Sequence, residues 1–124
     1  MRAVRKLVPL LLVLSPLPAL SQDGGLASRA FDGKWTMSLQ TTVGACTPSA
    51  NVVVTIREAK VVGVDGASGE AWGYIDASNT VVGRFSQGER ALRANGSVKG
   101  STASGAWSAN ADYCGGRWTA TKTN

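Results

Sequence analysis

Residues 70–109 read EAWGYIDASNTVVGRFSQGERALRANGSVKGSTASGAWSA, and this stretch indicates the fold class most clearly. Apolar residues alternate with polar ones or cluster in short runs, and turn-forming residues recur about every eight to twelve positions, a pattern typical of short β-strands. Because the turns are short, neighbouring strands must pair as antiparallel hairpins. The stretch predicts four strands, at Glu70–Asp76, Thr80–Ser86, Arg90–Val98 and Thr102–Ala109.

The same pattern continues on both sides of this stretch. It predicts four further strands, at Gly33–Thr42, Asn51–Arg57, Lys60–Asp65 and Cys114–Lys122. Eight strands joined in chain order form an up-and-down meander, which removes its exposed edges by closing into a barrel. We therefore predict an all-β fold, an eight-stranded antiparallel up-and-down barrel. The alternative is a two-sheet β-sandwich built from the same strands.

The two cysteines of the chain lie where such a barrel closes. In a closed meander the first strand pairs antiparallel with the eighth, so the end of the first lies beside the start of the eighth. Cys46 follows the first predicted strand, and Cys114 opens the eighth. The positions predict a Cys46–Cys114 disulfide at one end of the barrel. The alternative is a reactive thiol pair, for which the chain has no C-x-x-C spacing.

The N-terminus has the layout of a secretory signal. Residues 1–21 combine three basic residues, a short apolar centre at 7–14, the prolines Pro16 and Pro18 after that centre, and small residues before Gln22. We interpret 1–21 as a cleaved signal peptide, 22–30 as a flexible leader and 31–124 as one barrel domain. The alternative is an uncleaved anchor, although the apolar centre is short for a membrane span. The interpretation predicts a periplasmic or secreted protein, without membrane insertion after signal cleavage.

The charge of the mature chain argues against nucleic-acid binding. The full chain has 13 basic and eight acidic residues. Loss of the three basic residues of the signal leaves ten basic residues against eight acidic ones, a net charge of +2. These charges are scattered, so we expect neither nucleic acid nor an anionic membrane surface as a partner. The expected partner is a protein or a small ligand of unknown identity.

The chain lacks the residues on which most catalytic sites and metal sites depend. The chain contains no histidine, which removes the usual nucleophile–histidine pairs and histidine metal sites. The two cysteines are assigned to a disulfide, and no phosphate-binding loop or dinucleotide motif is present. A pair of carboxylates could still act on a glycosidic bond, but most of the acids fall in turns or at strand ends. We predict that the protein is not an enzyme and binds no cofactor or metal ion.

The tryptophans form two groups. Trp35, Trp107 and Trp118 each follow a glycine by two positions, so the pair shares one face of a strand and the glycine leaves room for a neighbouring indole. We interpret these three as barrel core, with a ligand-lining role as the alternative. Trp72 and Tyr74 share a face of their strand opposite smaller residues, which makes them candidates for an outer contact surface.

Two resemblances rest on the ends of the barrel sequence. The segment Phe-Asp-Gly-Lys-Trp-Thr at 31–36 and the segment Cys-Gly-Gly-Arg-Trp-Thr-Ala-Thr at 114–121 resemble small secreted β-barrel proteins of unknown function from rhizobia and their relatives. That resemblance implies the fold and no activity. The Gly-x-Trp strand with a following Cys is also similar to periplasmic metalloprotease-inhibitor barrels, in which the segment before the barrel enters the protease cleft. This implies an inhibitory role for residues 22–30.

Three functions follow as hypotheses. The first is an exported, non-catalytic binding or interaction module. The second is a periplasmic protease inhibitor that acts through its leader. The third is a carrier of a small apolar ligand, because an eight-stranded barrel encloses space for side chains or for one small ligand.

Overall fold

Eight antiparallel strands close into a barrel in the computed structural model, which describes residues 25–66 and 68–124. The signal peptide predicted at 1–21 lies outside the described residues. Each strand pairs with the next one in the chain, and β1 pairs with β8, so the predicted up-and-down barrel is confirmed and the sandwich is not formed. The strands are β1 Gly33–Val43, β2 Ser49–Arg57, β3 Lys60–Asp65, β4 Glu70–Ile75, β5 Thr80–Gln87, β6 Arg90–Lys99, β7 Thr102–Ala109 and β8 Gly115–Lys122.

The pairing register assigns every strand residue to the inner or the outer face. Residues directly opposite one another in an antiparallel pair share a face of the sheet. Met37 of β1 lies opposite Val52 of β2 on one side and Ala120 of β8 on the other. The apolar residues that alternate along each strand therefore converge on the barrel interior.

The disulfide joins the loops at one end of the barrel. Cys46 follows β1, and Cys114 lies between β8 and a short 3-10 helix at Ala111–Tyr113, so β8 begins one residue later than predicted. The two sulfurs are bonded, with the Cα atoms 6.0 Å apart, which confirms the predicted pairing. We call this the disulfide end. A Cβ atom at Gly44 would lie 2.7 Å from the Cα atom of Cys114, so the loop needs a glycine there.

The chain before β1 covers the opposite end of the barrel. The backbone N–H of Ala27 donates a hydrogen bond of 2.9 Å to the carbonyl of Ile75, and Leu26 forms an isolated bridge with Asp76. A second 3-10 helix, Arg29–Phe31, follows, and Phe31 packs against the core. Residues 25–30, which the sequence assigns to a flexible leader, are thus bound to the end of β4. Residues 22–24 lie outside the described residues.

Asp32 fixes the turn between β2 and β3 at this covered end. Its two carboxylate oxygens accept hydrogen bonds from the backbone N–H groups of Glu58 and Ala59, at 2.8 and 3.1 Å. Both residues have positive φ, 54° and 62°, which side chains rarely adopt without such support. The hydrogen bond from the Glu58 N–H is the main cause of the lowered pKa of Asp32. Desolvation is the next largest effect and raises the pKa, while the Ala59 N–H and the charges of Arg29 and Lys122 lower it further.

The weakest contact of the barrel lies between β3 and β4. Within the described residues, these strands pair only through Lys60 and Tyr74. By contrast, β4 and β5 pair along six residues of each strand, from Glu70 to Ile75 on β4. A β-bulge shifts the register between β2 and β3 beside Thr55, and Val62 is left 51% exposed. The two strands therefore separate toward the disulfide end.

Two observations bear on the compartment. No helix among residues 25–66 and 68–124 is long and apolar enough to cross a membrane. The disulfide is compatible with an oxidising compartment, because thiols of this kind stay reduced in the cytosol of most organisms.

Replacement of both cysteines, Cys46→Ala with Cys114→Ala, is expected to lower the free energy of unfolding by about 4 kcal/mol. The disulfide joins residues 68 positions apart, and its loss returns the corresponding loop entropy to the unfolded chain. Urea denaturation measures the change. The unmodified protein in reducing agent is the control and should lose as much stability; unchanged midpoints in both samples would contradict the prediction.

Asp32→Asn is expected to destabilise the protein at neutral pH and to have little effect in acid. Since the folded-state pKa of Asp32 is lowered, its carboxylate stabilises the fold above the unfolded value of about 3.9, and this contribution disappears as the pH falls through the folded pKa. Urea denaturation of both proteins between pH 7 and pH 3 checks this. A difference in stability that stays constant across that range would show that the ionised carboxylate is not responsible.

Candidate functional site

The barrel interior contains a cavity of about 300 Å³. Its wall is almost wholly apolar and is made mostly by the inward-facing residues of the strands, together with some residues of the outer face of β4 and β5. Near the covered end the wall includes Trp35, Ile56 and Val98, and towards the disulfide end it includes Leu39 and Phe85. Among the described residues no polar or charged side chain is buried. The lumen can therefore make dispersion and hydrophobic contacts but offers no side-chain hydrogen bond.

Metal chemistry has no visible site in the described part of the chain. No group of three or more His, Cys, Asp or Glu side chains lies close enough there to hold an ion. Two carboxylates form ion pairs on the surface of the barrel. Glu58 lies 3.4 Å from Arg29, and Asp65 lies 3.7 Å from Lys34.

The two Gly-x-Trp segments of β7 and β8 lie opposite one another in reversed order. Gly105 faces Trp118, and Trp107 faces Gly116. Each indole thus lies over the glycine of the other segment, where any larger side chain would occupy its place. The Trp118 ring extends further, across β7 to β6, where a Cβ atom at Gly96 would lie 2.7 Å from the ring atom Cζ2.

Every buried indole N–H is bonded within the protein. The Nε1 of Trp118 donates to the carbonyls of Asn95 and Ala106, both at 3.2 Å. The Nε1 of Trp107 likewise donates to two carbonyls at 3.2 Å, on β1 and β8. The Nε1 of Trp35 donates to the carbonyl of Phe31 at 2.9 Å. These bonds hold the rings against the barrel wall and leave only apolar ring surface for a ligand.

The three tryptophans that the sequence groups together serve two cavities. All three are buried, with 4%, 8% and 3% of the surface of Trp35, Trp107 and Trp118 exposed. Trp35 and Trp118 line the lumen, whereas Trp107 lines a second cavity of about 440 Å³ at the disulfide end. Polar side chains, including Arg90 and Asp112, share that second wall.

The outer aromatic pair lies beside the gap between β3 and β4. The Trp72 side chain is on the outer face and 56% exposed, and its ring meets that of Tyr74 edge to face with centroids 5.6 Å apart. The guanidinium of Arg84 lies 5.9 Å from the centroid of the Trp72 ring. Both aromatic residues also line the lumen cavity where it reaches the outer surface. The sequence predicts their exposure but not their contact with the cavity.

The sequence does not predict the gap between β3 and β4, although it contains one irregularity at that place. In Val61-Val62-Gly63-Val64 the alternation of apolar and polar residues is broken, and the bulge that results leaves Val62 outside the barrel. A break of this kind indicates an irregular strand but not the separation of that strand from its neighbour.

Gly96→Ala is expected to lower the free energy of unfolding by about 1–3 kcal/mol, because its Cβ atom would overlap the Trp118 ring and the backbone of β7. Gly83→Ala is the matched control. It also faces the lumen, but its Cβ atom would have no neighbour nearer than 4.0 Å, so a change below about 1 kcal/mol is expected. Thermal or urea unfolding compares the two; equal losses would contradict the assigned position of the Trp118 ring.

Comparison with known proteins adds no relative on which to base a function. No protein-family model matches the chain, and no curated protein matches its sequence. What the lumen can bind therefore follows from its geometry and chemistry.

Proposed function

We propose that the protein is an exported, non-catalytic binding protein that carries one small apolar ligand in the barrel lumen. The observation that carries this proposal is the cavity of about 300 Å³ with an almost wholly apolar wall. Well-packed interiors leave few voids larger than a water molecule, so a space of this size is unusual for a domain that only needs to be stable.

The size and the wall chemistry support a ligand over bound water. The volume is at the lower end of the range for small-molecule sites, about 300–1,000 Å³. Water needs polar partners, and apolar cavities of comparable size stay dry and take up apolar molecules. Transfer of an apolar ligand into this lumen removes apolar surface from water on both sides, which supplies the binding free energy.

A carrier is a better fit to the wall than an enzyme. Bond making and breaking need a titratable or nucleophilic group at the reacting atoms, or a bound metal or cofactor. The lumen presents indole, aliphatic and phenyl groups, and the indole N–H groups of Trp35 and Trp118 are already bonded to carbonyls. The chain contains no histidine to place there.

The predicted signal peptide at 1–21 supports export, and the disulfide is compatible with the periplasm or the extracellular space. The protease-inhibitor hypothesis needs a free segment ahead of the barrel. The N–H of Ala77 donates to the carbonyl of Gly25, and that of Ala27 donates to Ile75, so the described part of this segment is bound to β4 and the turn that follows. We therefore favour the carrier over the inhibitor.

Gly83→Phe is expected to weaken ligand binding about tenfold or more, because the added ring would fill the lumen. The neutral probe 1-dodecanol, titrated into the exported protein, would be detected by the emission of Trp35 and Trp118, which line the cavity. Ala106→Phe adds the same ring to the exposed outer face and is the control, expected to bind as the unmodified protein does.

Two results would count against the carrier. One is an unmodified protein whose tryptophan emission and calorimetric trace do not respond to 1-dodecanol or to other neutral apolar probes. The other is binding that Gly83→Phe and Ala106→Phe weaken equally, which would place the probe outside the lumen.

A further inference from the structure

The lumen reaches the outer surface through the side of the barrel. Its wall includes Val64 and Ala71 on the inner face, but also Val82 and Arg84, which lie on the outer face of β5. A continuous space can pass from one face to the other only where strands are not paired. Since β4 and β5 pair along the whole of β4, the passage is the gap between β3 and β4, which we call the lateral opening.

The lateral opening is bordered by two strand edges that are paired with each other at one position only. Beyond the Lys60–Tyr74 pair, the facing edges of β3 and β4 make no ladder hydrogen bonds with each other. Backbone N–H and C=O groups left in this way need water or a ligand as partners. A ligand that fills the lumen can therefore keep a polar group solvated here, which the lumen itself does not allow.

Two arginines lie on the outer face of the strands that follow β4. Arg84 of β5 lies opposite Trp72, with its guanidinium 5.9 Å from the centroid of the Trp72 ring, and Arg93 of β6 lies opposite Arg84. Like charges directly opposite one another destabilise a sheet. Neither arginine forms an ion pair within the described residues, and the acidic residue of β4 on the same face, Glu70, lies opposite Ser86. An anion bound between the two arginines would offset this repulsion.

We infer that the ligand of this protein is an anionic amphiphile. Its apolar tail lies in the lumen and leaves it through the lateral opening, and its carboxylate or phosphate head lies on the outer face beyond Trp72, bound by Arg84 and Arg93. Arginine binds planar oxyanions through paired hydrogen bonds, and the Trp72 ring beside Arg84 gives the first part of the tail an apolar contact. The inference rests on the proposed carrier function and adds the class of ligand and the location of its head.

The disulfide end provides a weaker site for such a head. The second cavity is larger and more polar, but its wall carries Arg90 together with Asp112, charges of opposite sign. An anion placed there would meet both. The paired arginines on the outer face have no such acid within their pairing register.

The test compares amphiphiles that share one tail and differ in the head. Dodecanoate, dodecyl phosphate and 1-dodecanol are titrated by calorimetry into the disulfide-bonded exported protein and into the double variant Arg84→Gln with Arg93→Gln. We expect the double variant to weaken binding of the two anions about tenfold or more while binding of 1-dodecanol changes little. Arg117→Gln, which removes an exposed arginine from the outer face of β8, is the matched control and should change none of the three affinities.

The outcomes separate the inference from the carrier function. Anion binding that the double variant leaves unchanged, or that only Arg90→Gln weakens, would overturn the inference and leave the carrier in place. Failure of all three amphiphiles to bind the unmodified protein would overturn both. A preference for dodecanoate over dodecyl phosphate, or the reverse, supports the inference in either case and distinguishes a free fatty acid from a phosphorylated lipid as the source of the head.

Discussion

The crossed pairing of Gly105 with Trp118 and of Trp107 with Gly116 determines where the two largest side chains of β7 and β8 lie. In an eight-stranded barrel the interior is narrow, and three large indoles could easily fill it. Here the rings of Trp107 and Trp118 each lie over a glycine and donate their N–H groups to carbonyls of neighbouring strands, so these two rings lie along the wall and leave space in the lumen.

The barrel is therefore asymmetric around its axis. The wall of β6, β7 and β8 pairs along eight, eight and seven residues in its successive ladders and presents one indole, that of Trp118, together with aliphatic residues to the lumen. The wall of β3 and β4 is short, bulged and joined through a single residue pair. The covered end, the disulfide end and this weak side give the lumen three different boundaries, and the weak side lies three ladders away from the closure of β1 on β8.

The sequence was sufficient for the strands, their order and the disulfide, because each of these depends on short-range patterns or on the position of Cys46 and Cys114 in a meander. It was not sufficient for the lumen. Whether Trp107 shares a cavity with Trp35 and Trp118 depends on which way each indole turns across its neighbouring strand, and that depends on glycines of other strands such as Gly96. The separation of β3 from β4 accompanies the bulge beside Thr55, and no short-range sequence pattern predicts that two neighbouring strands separate. The pairing of Arg84 with Arg93 likewise appears only once the register of β5 and β6 is known.

The disulfide has a consequence for how far the weak side can fray. A barrel that loses one ladder becomes an open sheet, and an open sheet can then unzip from its free edges. When β3 and β4 separate, they become the free edges. The bond between Cys46 and Cys114 keeps β1 and β8 joined on another side of the barrel. β3 and β4 can therefore separate locally while the β1–β8 pairing and the disulfide hold the remaining strands together. Local separation of two strands can require less free energy than global unfolding, so the thermodynamic stability of the whole domain does not determine how readily β3 and β4 separate.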